Sequence, residues 1–133
     1  METQQIWANL AVADLSRTAK FYTALGFERN GKASEELVSF FFSGNKFVIH
    51  FFDRTKIERS TGTNFSTSHT SSEVMFSLST TAEAEVSKWM EQAIQAGGSV
   101  FRAASRDEQG FFWGGFADPD GHRFNVLLIE PGM

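Results

Sequence analysis

The sequence predicts an α+β fold in which a β-α-β-β-β order of elements runs twice through 133 residues. Three observations predict it. Two apolar stripes at helical spacing each end on a glycine, Gly26 and Gly97, 71 residues apart. An alternating strand pattern precedes each stripe, and its leucines, Leu10 and Leu78, are 68 residues apart. Between the halves the pattern breaks, with Ser or Thr at ten of the twenty residues from Asp53 to Ser72. The expected organisation is one domain over 1–133: module 1 over about 4–53, a linker over about 54–72 and module 2 over about 73–131. An internal repeat of this kind places binding sites between its halves.

Taken in order, Gln5 to Val12 reads as a strand, with Ile6, Leu10 and Val12 on one face and Trp7, Asn9 and Ala11 on the other. Asp14 is a helix N-cap, and Leu15, Ala19, Tyr22 and Leu25 form the stripe that Gly26 stops. Phe27 to Lys32 predicts a short strand. Leu37 to Ser43 and Phe47 to Phe52 are apolar runs joined by Gly44-Asn45, a two-residue hairpin signal. The second run places Val48, His50 and Phe52 on one face. The Ser/Thr-rich stretch carries no stripe and reads as a structureless connector or lid. Val74 to Ser79 restarts the strand pattern, and Thr80 and Glu83 have capping-box spacing. Val86, Trp89, Met90, Ala93 and Ile94 then make a helical stripe, followed by strands over 99–103 and 110–116. Asp118-Pro119-Asp120-Gly121 closes a hairpin: Pro119 presets its φ, the carboxylates take local N–H groups, and Gly121 accepts the positive φ. In the strand after it Phe124, Val126 and Leu128 alternate with Arg123, Asn125 and Leu127.

Composition narrows the function classes. Fifteen phenylalanines could fill a core or line an apolar cleft. A net charge of −4 without a basic cluster argues against nucleic acid or an anionic membrane as partner. The absence of cysteine excludes disulfides, thiolate metal sites and Cys nucleophiles. No signal peptide or membrane-length apolar run is visible, so a cytoplasmic location is expected.

The stretch Asn9-Leu10-Ala11-Val12-Ala13-Asp14-Leu15-Ser16-Arg17, with Phe21-Tyr22-Thr23-Ala24-Leu25-Gly26-Phe27, resembles the first module of the vicinal oxygen chelate superfamily. Phe116-Ala117-Asp118-Pro119-Asp120-Gly121-His122 resembles the close of its second module. That superfamily holds glyoxalase I, bleomycin-resistance proteins, extradiol dioxygenases and fosfomycin-resistance enzymes. The resemblance implies two βαβββ modules forming curved mixed sheets around a cleft, with helices on the convex side. The helix-facing sets would be Ile6/Leu10/Val12, Val74/Phe76/Leu78 and Phe124/Val126/Leu128.

The resemblance also implies where a metal would be held, by His and Glu side chains on the first and last strands of each module. Those positions fall on Trp7, His50, Met75 and Asn125. Indole offers no lone pair and thioether suits hard divalent ions poorly, so no metal and no cofactor are expected. The leading expectation is a metal-free protein that binds a small, partly aromatic molecule in an apolar cleft. Its binding residues would be Trp7, Asn9, His50, Phe52, Met75, Trp113 and Asn125, and a homodimer is implied. The alternative is a lyase or isomerase of glyoxalase type, similar to lactoylglutathione lyase, with His50 as catalytic general base and Asn125 polarising a carbonyl. A third reading is a structural dimer with a filled cleft. His50 alone reads first as a satisfied cavity histidine, then as a ligand contact or base. Tyr22 reads as structural, His69 and His122 as solvated surface, and Asp107-Glu108 as surface beside a hairpin.

Overall fold

Local capping starts and stops the first helix where the sequence places it. The Asp14 carboxylate accepts a hydrogen bond from the Arg17 N–H at 3.0 Å, and Gly26, at φ +93°, ends the helix. The computed structural model describes residues 1–44, 46–66 and 69–133, in two compact units, Met1–Ser66 and Thr67–Met133. The first unit contains β1 (Trp7–Val12), α1 (Leu15–Ala24), β2 (Glu28–Arg29), β3 (Leu37–Phe41), β4 (Val48–Asp53) and α2 (Arg54–Thr61). Its mixed sheet has the order β1-β4-β3-β2, with β1 and β4 parallel and the other pairs antiparallel.

One face of this sheet is sealed by α1. Phe21 and Tyr22 are fully buried against it, as are Phe40, Ile49 and Phe51. Tyr22 stacks on Phe51 with ring centroids 4.6 Å apart and stands edge-on to Phe42 at 5.4 Å. Much of the phenylalanine content is therefore core. The helix-facing sets need one correction: Ile6 is 81% exposed and Val74 is 56% exposed. The strands begin one residue later, at Trp7 and Met75, so neither side chain has a sheet beneath it. The Gly44-Asn45 hairpin lies partly outside the described residues, at Asn45. Its flanks are joined by the Lys46 N–H, which donates to Ser43 O at 2.9 Å.

The stretch expected to be structureless holds a helix. Asp53 caps α2 by accepting from the Lys56 N–H, Gly62 ends it at φ +67°, and Ile57 is its buried residue. One buried side chain over eight residues leaves no stripe to read in the sequence. Beyond it, the Arg54 guanidinium donates to Ala11 O, Phe65 O and Ser66 O, and the Glu58 carboxylate accepts from the Phe65 N–H. The chain leaving α2 is thus tied back to β1.

The second unit contains β5 (Met75–Thr80), α3 (Glu83–Gln95), β6 (Ser99–Arg106), β7 (Phe112–Ala117) and β8 (Arg123–Leu128), in the sheet order β5-β8-β7-β6. Val86, Met90 and Ala93 bury the inner side of α3. Trp89, Phe116 and Phe124 stack in near-parallel succession, 6.2 and 5.2 Å apart. Gly114 lets the helix come close, since an added Cβ would lie 2.9 Å from Met90 Sδ. The capping box does not form: Ala82 is the N-cap, and the Thr80 hydroxyl donates instead to the Glu85 carboxylate.

The Asp118–Gly121 turn folds as expected, with Gly121 at φ +94°. Asp118, 3% exposed, accepts from the Asp120 and His122 N–H groups, and His122 Nδ1 lies 2.7 Å from its second oxygen. His122 is therefore a partner of a buried carboxylate, which corrects its reading as solvated surface. No helix among the described residues is long and apolar enough to cross a membrane.

Two substitutions check these supports. Phe51→Ala should lower the unfolding free energy in urea by about 3–5 kcal/mol. Asp118→Ala, which orphans buried donors, should cost about 1–3 kcal/mol. An unchanged urea midpoint in either variant would show that the side chain is not a structural support.

Candidate functional site

Alternation along β4 decides what the open face of the first sheet presents. Ile49 and Phe51 are sealed beneath α1, so Val48, His50 and Phe52 take the opposite face. Register brings Trp7, Asn9 and Ala11 beside them from β1, and Phe41, Ser39 and Leu37 from β3. Trp7, Asn9, His50 and Phe52 therefore share one surface. The Trp7 and Phe52 rings each stand edge-on to the His50 ring with centroids 6.0 Å apart.

A groove of about 720 Å³ opens on this surface, with Trp7, Phe41, Phe47 and Val48 as apolar walls and His50, Asn30 and Lys46 among its polar groups. Asn9 and Phe52 share the face but lie outside the lining. Phe41, Asn30 and Lys46 were not read as site residues, and Phe47, which alternation puts on the face of Ile49 and Phe51, lines the groove instead. Phe41 becomes visible only once β3 is paired with β4, and Asn30 and Lys46 sit outside regular alternation. Lys46 holds a left-handed backbone at φ +70°, which costs a residue with a side chain about 1–2 kcal/mol.

His50 has an unusual environment. Its Nδ1 is buried with no hydrogen-bond partner among the described residues. Burial pushes its pKa below the ordinary 6.5, so the ring is neutral near pH 7. Because Nδ1 is sealed, Nε2 is the nitrogen a ligand can reach. A bare buried acceptor is easier to tolerate than an orphaned N–H, so we assign the proton to Nε2. The ring then offers a donor.

On the second sheet, Met75, Asn125 and Trp113 share the face opposite α3. Asn125 is the register partner of Ser77 on β5 and Gly115 on β7. Its Oδ1 is buried and has no partner among the described residues. Above Gly115 lies the Phe101 ring, so close that an added Cβ would sit 2.2 Å from it. A shift in the β6–β7 pairing inserts Phe101 there, and the Arg123 guanidinium stacks on its ring at 4.6 Å. Trp113 is partly occupied by its own chain: its indole N–H donates to Asp107 at 3.1 Å, and Arg102 lies 4.1 Å over the ring. Asp107 also accepts from the Phe111 and Gln109 N–H groups. Partial desolvation would raise its pKa, but these hydrogen bonds and the Arg102 charge outweigh it and hold the carboxyl below its ordinary value.

The donor set does not suit a divalent ion. Of Trp7, His50, Met75 and Asn125, only the imidazole is a good ligand, and its Nδ1 is sealed. Among the described residues no group of three or more His, Asp or Glu side chains is placed to hold a metal.

Residues 4–126 match the glyoxalase/bleomycin resistance protein/dioxygenase superfamily. The chain belongs to that superfamily. Among similar solved structures, a hypothetical protein of S. aureus is 29% identical, with a TM-score of 0.85, over 97% of this chain and 96% of that one. A glyoxalase-related enzyme from Fulvimarina pelagi is 26% identical, with a TM-score of 0.80, over 96% and 89%. A bleomycin-binding protein complexed with bleomycin is 20% identical, with a TM-score of 0.64, over 96% and 100%; that identity supports the fold alone. No curated protein matches the sequence significantly. This superfamily scaffold hosts many chemistries, so function here rests on the site itself.

The lowered His50 pKa has a measurable sign. Well above pH 6.5 the ring is neutral in both folded and unfolded chains, and its contribution to stability is constant. As pH falls below 6.5 the unfolded chain takes up the proton first, so stability drops until the folded ring also protonates. Thermal unfolding followed from pH 8 to 5 should show a smaller loss for His50→Phe than for the parent. Parallel curves would refute the buried-imidazole assignment.

Proposed function

We propose that this protein binds a small, partly aromatic molecule in the groove of the first module, without a metal ion. The observation that carries the proposal is the neutral His50 ring, set among the aromatic walls of a groove large enough for a small molecule. Apolar walls with a few fixed polar groups are the usual make-up of such a site. Trp7 supplies a broad ring, while Asn9 and Phe52 extend the same face beyond the groove. Met75, Trp113 and Asn125, on one face of the second sheet, are proposed as ligand contacts within their own unit, with the buried Asn125 Oδ1 as an acceptor. A structural relative that binds bleomycin is compatible with a binding role. A homodimer and a cytoplasmic location belong to the same proposal.

The enzyme reading asks for a lone pair on His50 that faces the ligand. With Nδ1 sealed and the proton on Nε2, the ring is better suited to donate than to abstract a proton. Binding is therefore the reading the geometry favours over a lyase or isomerase.

A thermal-shift screen of naphthalenes, bleomycin and glutathione thioesters, followed by titration of the best compound, tests this. At least one compound should raise the melting temperature, and Trp7→Ala should weaken its binding about five- to tenfold. Protein purified without chelators should carry well under one equivalent of nickel or zinc. No stabilisation by any compound would overturn the binding role, and stoichiometric metal would overturn its metal-free character.

A further inference from the structure

The groove of the first module has a sign as well as a shape. Resting on the proposed binding role, we infer that its ligand is an amphipathic anion: a planar apolar body between a carboxylate-type group and a neutral hydrogen-bond acceptor. The rows of the sheet set that order. Trp7, Val48 and Phe41 are register partners across three strands and form one apolar row. His50, two residues further along β4, stands in the next row between Asn9 and Ser39 and offers its N–H. Lys46, two residues before Val48, lines the groove from the other direction. Lys46 and His50 thus flank Val48 along the chain, with the apolar row between them.

Charge supplies the second argument. Lys46 is the one charged residue among the described residues of the lining. Gln4, Gln5, Asn30 and Ser43 are uncharged, and His50 is neutral. Glu28, the register partner of Phe41 on the edge strand β2, is exposed and outside the lining. The whole chain carries −4, so its general field repels anions. A preference for an anion would have to come from the local cation.

Three probes separate this inference from the reading beneath it: 6-acetyl-2-naphthoate, its methyl ester, and 2-naphthoate. Each is titrated against the full chain by calorimetry at low and at high salt. The acetyl acid should bind about fivefold tighter than its ester at low salt, and the advantage should fade in high salt. Lys46→Asn, a residue that tolerates the left-handed backbone, should bring the acid down to the level of the ester. 2-Naphthoate should bind more weakly than the acetyl acid, and His50→Phe should erase that difference. An ester that binds as tightly as the acid, or an acid preference that survives Lys46→Asn, overturns the anion inference while groove binding stands. Failure of all three probes to bind removes the groove reading and the inference together.

Discussion

The stack of Tyr22 on Phe51 governs what the first module can present. A strand alternates its side chains, so once Phe51 and Ile49 are committed to the core beneath α1, His50 must face the other way. Parallel pairing with β1 then brings Asn9 beside His50 and Trp7 beside Val48, while antiparallel pairing with β3 adds Ser39 and Phe41. None of these residues of the open face needs to be placed individually. A slip of one residue would bury the imidazole and expose two large apolar side chains, and the loss of aromatic core would far exceed any gain.

The second module reaches a comparable result by different means. Here the buried Asp118 carboxylate organises the turn, and Gly121 completes it, so the β7–β8 register follows and Asn125 comes to face Gly115. Gly114 and Gly115 serve opposite faces of the same strand. One admits α3 through Met90, and the other admits the Phe101 ring. Successive glycines in β7 thus allow close approach on both sides, at the cost of strand propensity.

The parts of this fold written in local chemistry were legible from the sequence. Asp14, Gly26 and Gly121 act through their own backbone neighbourhood, and each takes the role its residue type suggests. The superfamily was legible for the same reason, because its marks are those caps and turns. Thr80 and Glu83 show where local pattern misleads: the spacing of a capping box was present, but Thr80 lies within β5 and its hydroxyl reaches Glu85. The helix α2 was hidden because Ile57 alone anchors it. His122 looked like surface because its partner Asp118 is buried by tertiary packing that no short window reveals. In the groove, Trp7 and His50 were legible by alternation, whereas Phe41 needed the β3–β4 register and Lys46 needed the turn geometry.

The irregular pairing of β6 bears on the behaviour of the protein in concentrated solution. This strand is one of the two edges of the second sheet, eight residues long, with two register shifts against β7. A long regular edge is a template onto which a neighbouring chain can add a strand, the first step toward aggregation. Two interruptions break the even spacing of free N–H and C=O groups that such a template requires. The bulge that seats Phe101 over Gly115 therefore also blunts this edge against strand addition.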